Sequence, residues 1–190
     1  MKKYSTPAVF LDRDGVINRN RSDYVKSWAE FEFLPETLHA IRKLSSLDLP
    51  IIVISNQSAI GRGILSQNVV DDINNKMVDQ IVLSGGRIDS VFYCPHRPDE
   101  NCDCRKPHPG LLLRAAEEMS LDLGKSYLVG DKDSDIYTAL AVKCCPLLVK
   151  TGQGLEHFAK LKAQNEHRFH VVDNLAQAAE WIMQQKECIY

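Results

Sequence analysis

Short, continuous apolar runs separated by segments of helical periodicity constrain this chain more than any other feature. The runs are Ala8–Leu11, Pro50–Ile54, Val91–Tyr93, Ser126–Val129, Pro146–Val149 and His170–Val172. A strand with one wet face alternates apolar and polar residues. Unbroken apolar runs belong to strands covered on both faces. Between them, Pro35–Leu47 places Leu38, Ile41 and Leu44 on one helical face. Val70, Ile73, Met77 and Ile81 form another such face, with Ser66 as N-cap and Gly85-Gly86 as the stop. Pro109–Met119, Asp133–Val142 and a segment from Leu175 to Gln185 read as further helices. Alternation of this kind predicts an α/β fold with a doubly wound, Rossmann-like parallel sheet.

The 190 residues suffice for one domain, 1–190, with a full core. A formal net charge of −2 gives no electrostatic case for nucleic acid or an anionic membrane surface as partner. No apolar run approaches a membrane span, and Met1–Pro7 lacks the apolar region of a signal peptide. The expectation is a cytoplasmic protein, and a monomer, since no large apolar face is left over. The six cysteines are mostly clustered, which suits thiols or metal ligands better than a disulfide framework.

Several polar segments fall at predicted strand ends, where an open α/β sheet binds its ligands. Asp12 and Asp14 follow the first strand, one residue apart. Ser55-Asn56-Gln57-Ser58 follows the second, Arg105-Lys106-Pro107 precedes a helix, and Gly130-Asp131 opens a run that reaches Asp135. Each alone reads as an ordinary turn or cap. Together they supply the parts for phosphoryl transfer through an aspartyl phosphate. One carboxylate attacks phosphorus while a second protonates the leaving oxygen and later activates water. A hydroxyl and a lysine stabilise the phosphoryl charge, and paired acids accept a magnesium ion.

A second cluster is Cys94, His96, Cys102 and Cys104. Three thiols and an imidazole in the 94–104 loop match a closed, structural Cys3His zinc site. His108 competes with His96 as the imidazole, and a Cys94–Cys102 or Cys102–Cys104 disulfide is the alternative to metal. Cys144 and Cys145 read as small core residues, and Cys188 as a tail thiol.

On these motifs nearly the whole chain resembles the haloacid dehalogenase superfamily of phosphatases, here of the type without a cap domain and with a zinc-stapled loop. The resemblance implies Asp12 as nucleophile, Asp14 as general acid and base, and Ser55 and Lys106 on the transferring phosphoryl group. It implies Mg²⁺ on Asp12, the Asp14 backbone carbonyl and Asp131, with Asp135 either behind them or simply opening the next helix. The zinc loop followed by Arg105-Lys106-Pro107-His108-Pro109-Gly110, with Arg62-Gly63 and Gly130-Asp131-Lys132, is similar to the heptose 1,7-bisphosphate 7-phosphatase family. That family acts in nucleotide-activated heptose and lipopolysaccharide biosynthesis. The histidinol-phosphate phosphatases share the loop and stand as the alternative.

The implied substrate is a phosphorylated sugar held by Arg21, Ser22, Asp23, Tyr24, Asn56, Gln57, Ser58, Arg105 and Lys132. Arg105 would read the phosphate that is not cleaved. The chain departs from that family in a shorter zinc loop and a one-residue offset over Asn18–Tyr24. Two other classes compete: a receiver-like signalling domain, which carries its phosphorylated Asp on a middle strand, and a non-catalytic zinc-stapled interaction module.

Overall fold

β1 (Val9–Leu11) lies in the middle of a six-stranded parallel sheet. The chain first builds outward to one side, through α1 (Thr37–Ser45), β2 (Ile51–Asn56), α2 (Gln67–Leu83) and β3 (Ser90–Cys94). It then crosses back through α3 (Gly110–Met119) and lays β4 (Tyr127–Gly130) on the other side of β1. α4 (Asp133–Ala141), β5 (Cys145–Val149), α5 (Gly154–Ala163), β6 (His170–Val172) and α6 (Leu175–Glu187) complete the order β3-β2-β1-β4-β5-β6. The computed structural model describes residues 6–187, so Met1–Ser5 of the N-terminal reading and Cys188 lie outside the described residues.

Both faces of the central strands β2, β1, β4 and β5 are buried, which accounts for their unbroken apolar runs, while the edge strands β3 and β6 are partly covered. Val9 and Leu11 pack with Ile41, Leu44, Met77, Ile81 and Ile182 on the face covered by α1, α2 and α6. Ala8 and Phe10 point the other way and meet Leu111, Leu112, Ala115 and Ala139 of α3 and α4. Successive strand residues thus serve opposite cores, as the period of two requires.

The sequence reading holds for all the strands, with small shifts at their ends. β2 runs on to Asn56, so Ser55 and Asn56 end the strand instead of following it. Ser126 precedes β4; its hydroxyl accepts from Ala8 N–H at 2.9 Å. Pro35 lies just before the N-cap position of α1, Glu36. Ser66 caps α2 as expected, accepting from Val69 N–H. Cys144 is buried in the core and Cys145 starts β5.

One helix is absent from the sequence reading. α5 offers little apolar stripe: Leu161 is buried, but Leu155 is exposed.

The switch point of the sheet lies between β1 and β4, because the connections leave β1 in opposite directions. Segment 12–36, at that edge, carries one 3-10 turn (Trp28–Glu30). Trp28 stacks on Phe31 there, Phe33 meets both rings edge-on, and the three pin the segment to the core.

Candidate active site

The strand ends deliver the acids and the cation to one point. Asp12 directly follows β1 and Asp131 directly follows β4, and the ladder continues through Asp12 N–H to Val129 O at 2.9 Å. Asp12, Asp131 and Asp135 are all buried, with carboxylate oxygens within 4.8 Å of one another. Three acids that close cannot all ionise without cations. Lys106 supplies one. Its Nζ lies 2.9 Å from Asp12 Oδ1, is ion-paired with Asp135 Oδ1, and donates to Ile54 O. Asn56 anchors the Lys106 backbone from the neighbouring strand, with Nδ2 donating to Lys106 O and Oδ1 accepting Lys106 N–H, each at 3.1 Å.

The charge remains unbalanced at Asp131. Burial, reinforced by Asp12 and opposed by Lys132, pushes its carboxyl up to about 7. Burial likewise raises Asp12, against the pull of Lys106. Burial disfavours the charge on Lys106, but Asp12 and Asp135 outweigh it and hold the ammonium above its ordinary range.

The residues fit a divalent cation. Asp131 Oδ2 accepts from Gln153 N–H at 2.9 Å, but Oδ1 is buried with no hydrogen-bond partner among the described residues. Gly15 and Gly152 make room for the Asp131 carboxylate itself: a Cβ on either would sit 2.1 or 2.3 Å from Asp131 Oδ2. Both glycines also hold positive φ. Asp135 has both oxygens engaged, Oδ1 by Lys106 and Oδ2 by Lys132 N–H at 3.0 Å. Asp135 therefore belongs to the cluster as the acid behind Lys106 while also opening α4, so both readings of it apply.

Asp14 faces a cavity of about 730 Å³ above this cluster. Its carboxylate accepts from Asn18 Nδ2 and Gln57 Nε2, each at 2.9 Å, and from the guanidinium of Arg13. Burial raises its pKa, yet Arg13 and these bonds prevail and hold it below the usual carboxylate range. Ser55 is buried, its Oγ accepting from Gln57 Nε2 at 2.8 Å.

Of the residues expected to meet substrate, Arg21, Ser22, Tyr24, Asn56, Gln57, Ser58, Arg105 and Lys132 line the cavity. Asp23 is not among the lining residues; it is ion-paired with Arg21 and Lys26. Tyr24 OH and Ser58 Oγ stand 3.4 Å apart. Asn20, Ser134 and Gln153 also line the cavity and escaped the sequence reading. Gln153 was discoverable by the rule that found Asp131, since its loop leaves the end of β5. The lining carries Arg13, Arg19, Arg21, Arg105, Lys106 and Lys132 against Asp14 alone, although the chain as a whole is slightly acidic. Arg13, Arg19, Arg21 and Lys106 are ion-paired with Asp14, Glu32, Asp23 and the buried acids, which leaves Arg105 and Lys132 to attract an anion.

The cysteine loop closes beside this cavity. Cys94 ends β3, and its Sγ lies 3.5 Å from Cys102 Sγ and 3.6 Å from His96 Nδ1. Cys104 Sγ lies 3.3 Å from His96 Nδ1 and 3.5 Å from Cys102 Sγ. A disulfide needs about 2.05 Å between sulfurs, and all three cysteines are free. A tetrahedral zinc with Zn–S near 2.3 Å needs ligand edges of about 3.8 Å, close to those present. His108 is exposed and is not in the cluster. Arg105 Nη1 donates to His96 O at 3.3 Å, so the loop sets the guanidinium at the cavity rim.

A family model described as HAD-hydrolase-like matches residues 103–178. The D-glycero-beta-D-manno-heptose-1,7-bisphosphate 7-phosphatase of Pseudomonas aeruginosa is 38% identical over 95% of this chain and 99% of its own. The Escherichia coli K12 enzyme of the same name is 35% identical over 96% and 97%. The crystal structure of the D,D-heptose 1,7-bisphosphate phosphatase from Bordetella bronchiseptica, complexed with magnesium and phosphate, superposes with a TM-score of 0.88. It is 36% identical and covers 95% of this chain and 99% of its own. The strand-end acids, the lysine that joins them and the similarity over nearly full length agree: this chain belongs to the heptose-1,7-bisphosphate 7-phosphatase family of HAD phosphatases.

Proposed function

We propose that this protein hydrolyses the 7-phosphate of D-glycero-D-manno-heptose 1,7-bisphosphate through an aspartyl phosphate on Asp12. The buried Asp12–Lys106–Asp135 chain beneath a cation-lined cavity carries the reading. Asp12 attacks phosphorus and the bond to the sugar oxygen breaks, while Asp14 gives that oxygen a proton. Water then attacks the aspartyl phosphate, Asp14 takes its proton, and the acyl–phosphate link breaks to restore Asp12 and release phosphate. Lys106 and Ser55 neutralise the transferring oxygens.

Asp12, the Asp14 carbonyl and Asp131 would hold Mg²⁺, which draws charge from the phosphoryl group and lets Asp12 and Asp131 both ionise. Neither Asp131 Oδ1 nor Asp135 Oδ1 has a hydrogen bond among the described residues, but Asp135 Oδ1 is ion-paired with Lys106, which supports Asp131 as the ligand over Asp135. Cys94, His96, Cys102 and Cys104 would hold a structural zinc that fixes Arg105 for the second phosphate.

Arg105 also favours the bisphosphate over histidinol phosphate, because a bidentate guanidinium at the rim suits a second phosphate. Phosphate release from both anomers of the heptose bisphosphate and from histidinol phosphate tests the reading. A higher kcat/KM on either heptose anomer supports it, and preference for histidinol phosphate overturns it.

A further inference from the structure

We propose that Arg13, anchored by Asn74, is a positioning residue that aims the Asp14 carboxylate at the leaving oxygen. The proposal rests on the phosphatase reading and extends it to residues outside the reacting set. Arg13 stands between the two catalytic acids in sequence and is 2% exposed. Its Nε and Nη2 donate to Asp14 Oδ2 at 3.2 and 3.0 Å, and Nη2 reaches Oδ1 at 3.2 Å. Such a fork fixes the plane of a carboxylate as well as its place.

The guanidinium is itself held. Nη1 donates to Asn74 Oδ1 at 3.0 Å and Nη2 to Gln57 Oε1 at 3.1 Å. Asn74 is buried in the middle of α2 and is not among the cavity-lining residues. A buried polar side chain on an otherwise apolar helix face costs stability unless bonded, and here it meets the guanidinium. Gln57 in turn gives one amide to both Asp14 Oδ2 and Ser55 Oγ. Asn74, Arg13, Asp14, Gln57 and Ser55 therefore form one connected path from α2 to the residue expected on the phosphoryl group. Asn18 braces Asp14 from the other side, but only Arg13 is tied to a helix of the core.

Leaving-group dependence separates positioning from structural support. kcat/KM reports the step in which the ester bond breaks. An alkyl phosphate such as glycerol phosphate needs its oxygen protonated as that bond breaks. p-Nitrophenyl phosphate releases a stable phenolate and does not. Arg13→Met is the direct variant, and Asn74→Leu keeps every cavity residue and removes only the neutral anchor should the first fail to fold.

In the folded variant, kcat/KM on glycerol phosphate is expected to fall about 10- to 100-fold, the scale of a displaced general acid. For Asn74→Leu the change on p-nitrophenyl phosphate should stay within about twofold, because the acid has no part in that step, whereas Arg13→Met, which also removes a cavity-lining cation, should lose less on this ester than on glycerol phosphate. Parallel losses on both esters, or none on either, would overturn the positioning role while wild-type turnover leaves the phosphatase reading intact. Failure of the wild-type protein to hydrolyse any phosphate ester, the heptose bisphosphate included, would overturn both.

Discussion

Lys106 Nζ sits 2.9 Å from Asp12 Oδ1, with both side chains almost closed to solvent, and Asp135 flanks the lysine on its other side. Lys106 offsets part of the burial that raises the Asp12 carboxyl, and Asp135 gives the lysine a second partner. Asp12→Asn should therefore fold, since Lys106 keeps Asp135. The amide cannot accept the phosphoryl group, and turnover should fall by at least about 1000-fold. Steady-state kinetics beside a thermal melt checks both halves. Residual activity above about a tenth of wild type would be incompatible with an aspartyl intermediate.

Lys106→Ala is a different lesion from Arg105→Ala. Removing Lys106 strands Asp12 and Asp135 as buried neighbours without their cation, a loss on the order of 3–5 kcal/mol in stability. Its kcat/KM should drop on every phosphate ester. Arg105 lies at the rim, and its loss should lower kcat/KM on the sugar bisphosphate about 30- to 1000-fold, far more than on a generic ester. The ratio of the two kcat/KM values in each variant is the informative quantity. Equal losses in Arg105→Ala would mean that Arg105 braces the cysteine loop instead of reading a phosphate.

Metal binding through the raised Asp131 should depend on pH. Its carboxyl is pushed up to about 7 from 3.8, so in the metal-free protein its proton stabilises the fold fully below the lower value. That contribution is lost as pH rises through the upper one. Mg²⁺ needs the ionised form, so the gain in Tm from added Mg²⁺ should be larger at about pH 8 than at about pH 5.5. Scanning fluorimetry with and without the metal reads this directly. A gain independent of pH would remove Asp131 from the site.

Much of this was legible in the chain and some was not, for physical reasons. Asp12, Ser55 and Asp131 end strands whose apolar runs are unmistakable, so the switch-point rule located them. The spacing of Cys94, His96, Cys102 and Cys104 is local, and the loop closes as read. The role of Asp135 depends on a lysine distant in sequence, so position at a helix start could not separate its two readings. Arg13 and Asn74 are likewise joined across the fold, and a lone Asn on a helical face carries no signal of its partner. Gln57 and Asn56 were expected to touch substrate. They line the cavity, but their amides are already bonded to Asp14, Ser55 and the Lys106 backbone.

The two metals should separate on chelation. Mild chelator is expected to strip the oxygen-ligand Mg²⁺ and stop turnover reversibly. Zinc should stay at one per chain until a thiol reagent reaches Cys94, Cys102 and Cys104. Elemental analysis of protein prepared without chelator decides the matter, and absence of zinc would refute the loop site.

The most direct measurement is the position of the phosphate that leaves. Phosphorus NMR of the heptose 1,7-bisphosphate with enzyme and Mg²⁺ should show the primary C7 phosphate resonance replaced by inorganic phosphate. The anomeric C1 phosphate should persist in the product. Loss of the anomeric phosphate, or an untouched bisphosphate beside rapid hydrolysis of histidinol phosphate, would contradict the assignment.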